Sequence, residues 1–162
     1  INGFFKTGAA KLDHISVRNI KRGCLVVPIF NRELAVRSIQ IIFSKNKSFP
    51  RHGQKSDCFH FIGDRECSAG VLCIAEGYAT AASVHMATGY PAVVGFDAGN
   101  IVRVSKIMRD IFPNVTIVVC ADDDDVSEKT GISTGLEKAA QAARVCRGGF
   151  IVPVFDEVAV NG

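Results

Sequence analysis

Two apolar runs of strand length, residues 71–75 and 115–121, stop at carboxylates with no polar transition. The first reads Val-Leu-Cys-Ile-Ala and meets Glu76-Gly77; the second meets Asp122-Asp123-Asp124-Asp125. A short buried strand followed by a turn residue and a helical pattern is the sequence form of a βα unit. In parallel sheets, ligands gather where the carboxyl ends of strands open into loops. Acidic groups converging there repel one another unless a cation or proton intervenes. An all-oxygen donor set favours a hard cation such as Mg2+. The two strand ends therefore predict one magnesium site built from both. Alternation along the second run lets Asp122 and Asp124 share a side, with Asp123 and Asp125 pointing away or capping the loop.

The segments around these strands repeat the same logic. A small-residue helix is expected from about Tyr78 to Ala87, ended by Thr88-Gly89 and Pro91. A strand over residues 92–96 follows. Ile101, Val104, Met108, Ile111 and Phe112 then recur at helical spacing. Leu136, Ala139, Ala140, Ala143 and Cys146 mark a further helix before Gly148-Gly149, and residues 150–155 form the closing strand. Three βα units and a closing strand predict an α/β fold with a mainly parallel four-stranded, Rossmann-like sheet and flanking helices.

The front of the chain is different in kind. Residues 1–65 hold 12 Lys and Arg against 4 Asp and Glu, and the remainder 7 against 12, so a local +8 and −5 make the net +3. A basic lobe beside an acidic one suits a polyanion held next to a metal. Residues 1–23 show no sustained period. Residues 25–30 read as a strand whose Pro28 suggests an edge or bulge. Asn31-Arg32-Glu33 reads as a turn, and residues 34–43 as a second strand of open register. Residues 44–57 read as a polar loop carrying Lys45, Lys47, Arg51 and Lys55, with Phe49 inside it and Phe59 just beyond. Basic residues interleaved with aromatics can track a nucleic-acid backbone. Residues 59–62 read as a short strand. The boundary falls near residues 64–69, giving a small basic α+β lobe, 1–66, and a second unit, 67–162.

Length and composition agree. With 162 residues, 48% hydrophobic and 22% charged, the chain can bury a core. No apolar run reaches membrane-spanning length and no signal peptide opens the chain, which predicts a cytoplasmic protein without a membrane partner. The first residue is Ile, so the chain reads as part of something longer. Six cysteines are scattered without a Cys-x-x-Cys, as expected for buried, reduced thiols. His52, Cys58, His60 and Cys67 match no standard zinc spacing.

The order Glu76-Gly77-Tyr78-Ala79-Thr80, then Asp122-Asp123-Asp124 some forty residues on, resembles the TOPRIM domain of bacterial-type primases, type IA and II topoisomerases and some nucleases. Lys129 and Gly131, with the alanine-rich helix after them, are similar to the phage and plasmid branch of the DNA primases. So are Ser38-Ile39-Gln40-Ile41, Asn46-Lys47-Ser48-Phe49, Gly53 and residues 59–63 of the front lobe. The likeness covers roughly residues 24–156. It implies the catalytic core of a primase that makes short RNA primers on single-stranded DNA, for phage or plasmid replication, from ribonucleoside triphosphates. It further implies Mg2+ or Mn2+ as cofactor, and a helicase or replication protein, fused or separate, as partner.

On that resemblance Glu76, Asp122 and Asp124 are catalytic. The same three, with Asp156, are the metal ligands. Glu76 either completes the metal site or takes the proton from the attacking 3′-hydroxyl. Arg37, Lys47, Arg51, Lys55 and Lys129 hold nucleic acid or nucleotide by charge, and Gly77 is a structural turn that leaves room near the main chain. Thr80 stands where replicative primases often carry another acidic residue, and Asn46 where a glycine is usual. A metal-dependent nuclease with the same acidic site is one alternative reading. A non-catalytic nucleic-acid-binding module, for replication or anti-restriction, is another.

Overall fold

The computed structural model describes residues 23–44, 46–121 and 134–153. A five-stranded main sheet has the order β4-β6-β5-β7-β8, built from β4 (His60–Ile62), β5 (Val71–Ala75), β6 (Ala92–Val94), β7 (Thr116–Cys120) and β8 (Gly149–Ile151). β5 runs parallel to both β6 and β7, and β7 runs parallel to β8. β4 is antiparallel to β6. The expected four parallel strands are thus all present, and the sheet gains a fifth from the segment before residue 67. Three residues between a turn and a polar loop carry too little pattern to reveal a partner 32 positions away.

Three helices connect the strands: α1 (Tyr78–Thr88), α2 (Ala98–Ile111) and α3 (Thr134–Val145). Alternation along β5 decides their sides. Leu72 and Ile74 point to one face, where they pack with Val93, Ile117, Val119, Ile101, Val104 and Met108, the last three from α2. Ala139, Ala142, Ala143 and Cys146 of α3 complete that core. Cys73 and Ala75 point to the other face, against Ala81 of α1. α1 ends where Gly89 takes the left-handed conformation, φ 73°, and donates its N–H to the His85 carbonyl. A side chain at that backbone angle would be strained, which is why this helix stops at a glycine.

A second, three-stranded antiparallel sheet has the order β1-β2-β3, from β1 (Leu25–Phe30), β2 (Val36–Phe43) and β3 (Asn46–Ser48). Pro28 lies on edge strand β1, beside a register shift between Ile29 and Phe30, as its missing N–H demands. The stretch expected to be pure loop contributes β3, which pairs Ser48 with Ile41. Val27 and Ile29 pack with Cys73, Ala75, Val94 and Cys120. The small sheet and α1 therefore cover one face of the main sheet, while α2 and α3 cover the other. Phe30 and Phe59 exchange both backbone hydrogen bonds, at 2.8 Å each, and so join the small sheet to the lead-in of β4. Among the described residues no helix is long and apolar enough to cross a membrane.

Candidate active site

The connections fix where a ligand can sit. The chain leaves β5 for α1 on one face, and its neighbour β7 leads on to α3 on the other face. Adjacent parallel strands whose loops depart to opposite faces form a topological switch point, and the crevice outside their carboxyl ends is the natural ligand site of such sheets. Register places Ala75 beside Cys120. Glu76 follows Ala75 directly and is half-buried. Ala121 follows Cys120, is buried, and donates its N–H to the Ile151 carbonyl at 2.9 Å.

Glu76 is held from the β6 side. The loop after β6 donates the Gly95 N–H to the Ala75 carbonyl and the Phe96 N–H to the Glu76 carbonyl, both at 2.8 Å. Phe96 is buried and has φ 70°, in the left-handed region that bulky residues rarely enter. Gly95 passes so close to α2 that a Cβ there would stand 3.1 Å from the Ile101 Cα. Gly77 is the N-cap of α1, at φ −95° and ψ 148°. Any residue adopts those angles, so the backbone of the β5–α1 turn does not itself demand a glycine.

Asp97 is a helix cap. Its Oδ1 accepts the Asn100 N–H at 2.8 Å at the start of α2. Its Oδ2 lies 3.4 Å from Lys55 Nζ. The Lys55 ammonium also sits 4.5 Å from the centre of the Phe49 ring, and Phe49 meets Phe96 edge-on at 6.1 Å. Lys55 is thus half-buried in a joint between the basic loop and the end of β6. Arg37, Lys47 and Arg51 are exposed. Asn100, which sequence reasoning passed over, is 1% exposed and forms three side-chain hydrogen bonds. Its position three residues after a capping Asp was the visible signal; its distant partners were not.

Asp122, Asp123, Asp124, Asp125, Lys129 and Asp156 lie outside the described residues. Among the described residues no three His, Cys, Asp or Glu side chains cluster as a metal site. The zinc grouping is therefore not assembled. His60 instead bonds through Nδ1 to the Pro28 carbonyl at 2.9 Å. It lies between the Phe30 and Tyr78 rings, at 6.2 and 5.8 Å. Burial lowers its pKa, and the Arg65 charge lowers it further, against the Pro28 hydrogen bond. Burial raises the thiols of Cys58, Cys146 and Cys67, the last to about 11 with help from Asp64, so these are inert buried groups. The described part of the crevice offers Glu76, an oxygen donor at a strand end. That donor fits Mg2+, which binds proteins through one or two carboxylates and completes its shell with water and phosphate.

The family described as Toprim domain matches residues 71–155, just over half of the chain. The chain belongs to that family. Two curated relatives named DNA primase TraC, both from Escherichia coli, are similar to it. One is 39% identical over 112 residues, spanning 67% of this chain and 11% of the relative. The other is 38% identical over 133 residues, spanning 80% of this chain and 9% of the relative. The chain thus spans about a tenth of the length of these relatives. A solved structure titled "Structure of the DnaG catalytic core" superposes with a TM-score of 0.52 at 15% identity, over 83% of this chain and 46% of that one. At that identity the match speaks for the fold, a Toprim α/β sheet with flanking helices.

Proposed function

We propose that this Toprim chain is part of the catalytic core of a plasmid-type primase, synthesising short RNA primers on single-stranded DNA by nucleotidyl transfer. The TraC relatives support this reading, because the similarity extends beyond the Toprim domain into the front lobe. One observation carries it: β5 and β7 are neighbours flanking the switch point, with Ala75 beside Cys120. Glu76 departs from one strand end. Asp122 is separated from Ala121 at the other by one peptide unit, about 3.8 Å between Cα atoms. That adjacency supports reading Glu76, Asp122 and Asp124 as the carboxylates of one crevice.

Glu76, Asp122 and Asp124 would hold Mg2+ or Mn2+, with Asp156 as a further ligand. Such an ion neutralises triphosphate charge and polarises the phosphorus under attack. Glu76 has a second available role, accepting the proton of the attacking 3′-hydroxyl. Arg37, Lys47 and Arg51 are exposed cations that suit template or triphosphate, and Lys129 belongs with them. Lys55 contributes through the joint it makes with Asp97 and Phe49. In this reading residues 1–66 are the template and nucleotide lobe, and residues 67–162 the metal-binding unit. The partners are single-stranded DNA, ribonucleoside triphosphates and a helicase or replication protein, in the cytoplasm of a bacterial cell.

The test is incubation with single-stranded DNA, ribonucleotides and Mg2+ or Mn2+. Short RNA products are expected, lost in Glu76→Gln and Asp122→Asn while both variants stay folded. Shortened DNA instead would make the chain a nuclease. A gel shift that both variants retain, with no product, would make it a binding module.

A further inference from the structure

Asn100 occupies the first turn of α2 and its side chain is almost fully used. Its Nδ2 donates to the Cys58 carbonyl at 2.9 Å and the Gly95 carbonyl at 2.7 Å. Its Oδ1 accepts the Asp57 N–H at 2.8 Å. A primary amide offers two donors and an acceptor oxygen, so one group here ties together two segments far apart in the chain. At 1% exposure it has no water to fall back on.

The bonds continue past Asn100. Gly95, whose carbonyl it holds, gives its own N–H to Ala75, and the next residue gives its N–H to Glu76. A relay of hydrogen bonds therefore runs from Asp57-Cys58, through the Asn100 amide and the Gly95-Phe96 backbone, to the carbonyl of the one described carboxylate in the crevice. Phe96 sits at φ 70°, a conformation that persists when its surroundings dictate it. Asn100 on one side and the Phe49 ring on the other are those surroundings.

We propose that Asn100 is a positioning residue for the metal site: it sets the direction of Glu76 by pinning the β6–α2 loop to the front lobe. It touches neither metal nor substrate. It acts through the backbone, as outer-shell partners of metal ligands do when they fix ligand orientation. This inference rests on the metal role given to Glu76 above, and it adds that the basic loop and the metal site are one mechanical unit.

The experiment is Mn2+ titration of the protein by calorimetry, with folding of every variant checked by circular dichroism. Wild type is compared with Asn100→Ser, Phe49→Ala, Val104→Ala and Glu76→Gln. Val104 is a fully buried residue one turn further along the same helix, packed in the apolar core and outside the hydrogen-bond relay, so it controls for loss of stability alone. Asn100→Ser is expected to weaken Mn2+ by about 10-fold, the lower end for outer-shell changes. Phe49→Ala loosens the same loop without touching Asn100 and is expected to weaken it in the same direction. Val104→Ala is expected to bind as wild type does. In a primer assay with saturating Mn2+, Asn100→Ser should lower kcat and leave the KM for nucleotide unchanged. Wild-type affinity in a folded Asn100→Ser, or in Phe49→Ala should Asn100→Ser not fold, overturns the proposal, as does equal weakening in Val104→Ala. Uptake of Mn2+ that Glu76→Gln does not diminish, or no uptake by wild type, removes the metal role of Glu76 itself and the relay with it.

Discussion

The two faces of the main sheet are built from different material. Toward α2 and α3, β5 and β7 present Leu72, Ile74, Ile117 and Val119, which interdigitate with Ile101, Val104 and Met108. Toward α1 and the small sheet, the same strands present Cys73, Ala75 and Cys120, beside Ala92 of β6 and against Ala81 of α1. Large branched side chains fill a layer and stabilise it; small ones let backbones approach. The first face holds the sheet together. The second brings α1 and the basic lobe close to the strand ends from which Glu76 projects. The lobe meets α2 with Phe59 and Phe61 in that first core, and its polar contacts there are one buried amide and the solvent-facing pairs Lys55–Asp97, Arg103–Asp57 and Arg32–Asp110.

If the faces differ as described, equivalent truncations should not cost the same. Ile74→Ala leaves a hole between two helices and a sheet, and should lower stability by about 2–5 kcal/mol. Cys73→Ala, its neighbour on the other face, removes one sulfur atom and should cost about 1 kcal/mol, the scale of one buried methylene-sized group. Urea unfolding of both variants measures the difference directly. Equal losses would break the comparison.

Filling is the converse. Ala81 is fully buried in α1 at the small-residue face. Ala81→Leu should destabilise by about 1–3 kcal/mol through overpacking. Because α1 begins just after Glu76-Gly77, the displaced helix should also reduce the proposed primer synthesis by more than the loss of folded protein explains. A variant of unchanged activity would show that α1 need not sit so close.

Those contrasts explain what the sequence disclosed. β5, β6 and β7 are short, almost wholly apolar and bounded by turn residues, so their burial on two faces was visible. α2 and α3 carry a clear helical period, and α1 its alanines. The short β3, which read as loop, and the pairing of β4, which read as a strand, were harder. Each is three residues whose own pattern does not name its partner strand. The site divides in the same way. The strand end carrying Glu76 could be placed because topology alone fixes it. Asn100 could not be singled out, since its meaning depends on Asp57 and Cys58 more than forty residues earlier. Lys55 looked like the other loop cations until Asp97 and Phe49 were seen around it.

A smaller effect belongs to the second face alone. His60 is held neutral by burial, with Nδ1–H donating to Pro28. Its folded pKa is lowered, so the unfolded chain binds the proton first as pH falls. Stability from this group is complete above the unfolded value, about 6.5. It declines as pH drops from there toward the folded pKa, by at most one proton's worth of slope. Denaturant midpoints between about pH 7.5 and 5.5 should fall less steeply in His60→Gln than in wild type. Identical slopes would mean the ring is wetter than its place between Phe30 and Tyr78 implies.

The smallest effect expected is at the joint's surface. Lys55 and Asp97 are 35% and 44% exposed, so their attraction is screened by water and salt. Lys55→Met removes the charge but keeps a flexible chain to lie over Phe49. Stability should change by less than about 0.5 kcal/mol, as for most exposed pairs. Added salt, which weakens such pairs, should then erase what difference remains. The polar part of the lobe's hold on α2 would in that case rest on the Asn100 amide rather than on the ion pairs around it. A loss of more than about 1 kcal/mol, beyond the range of an ordinary surface pair, would instead make Lys55 a structural pin of the joint.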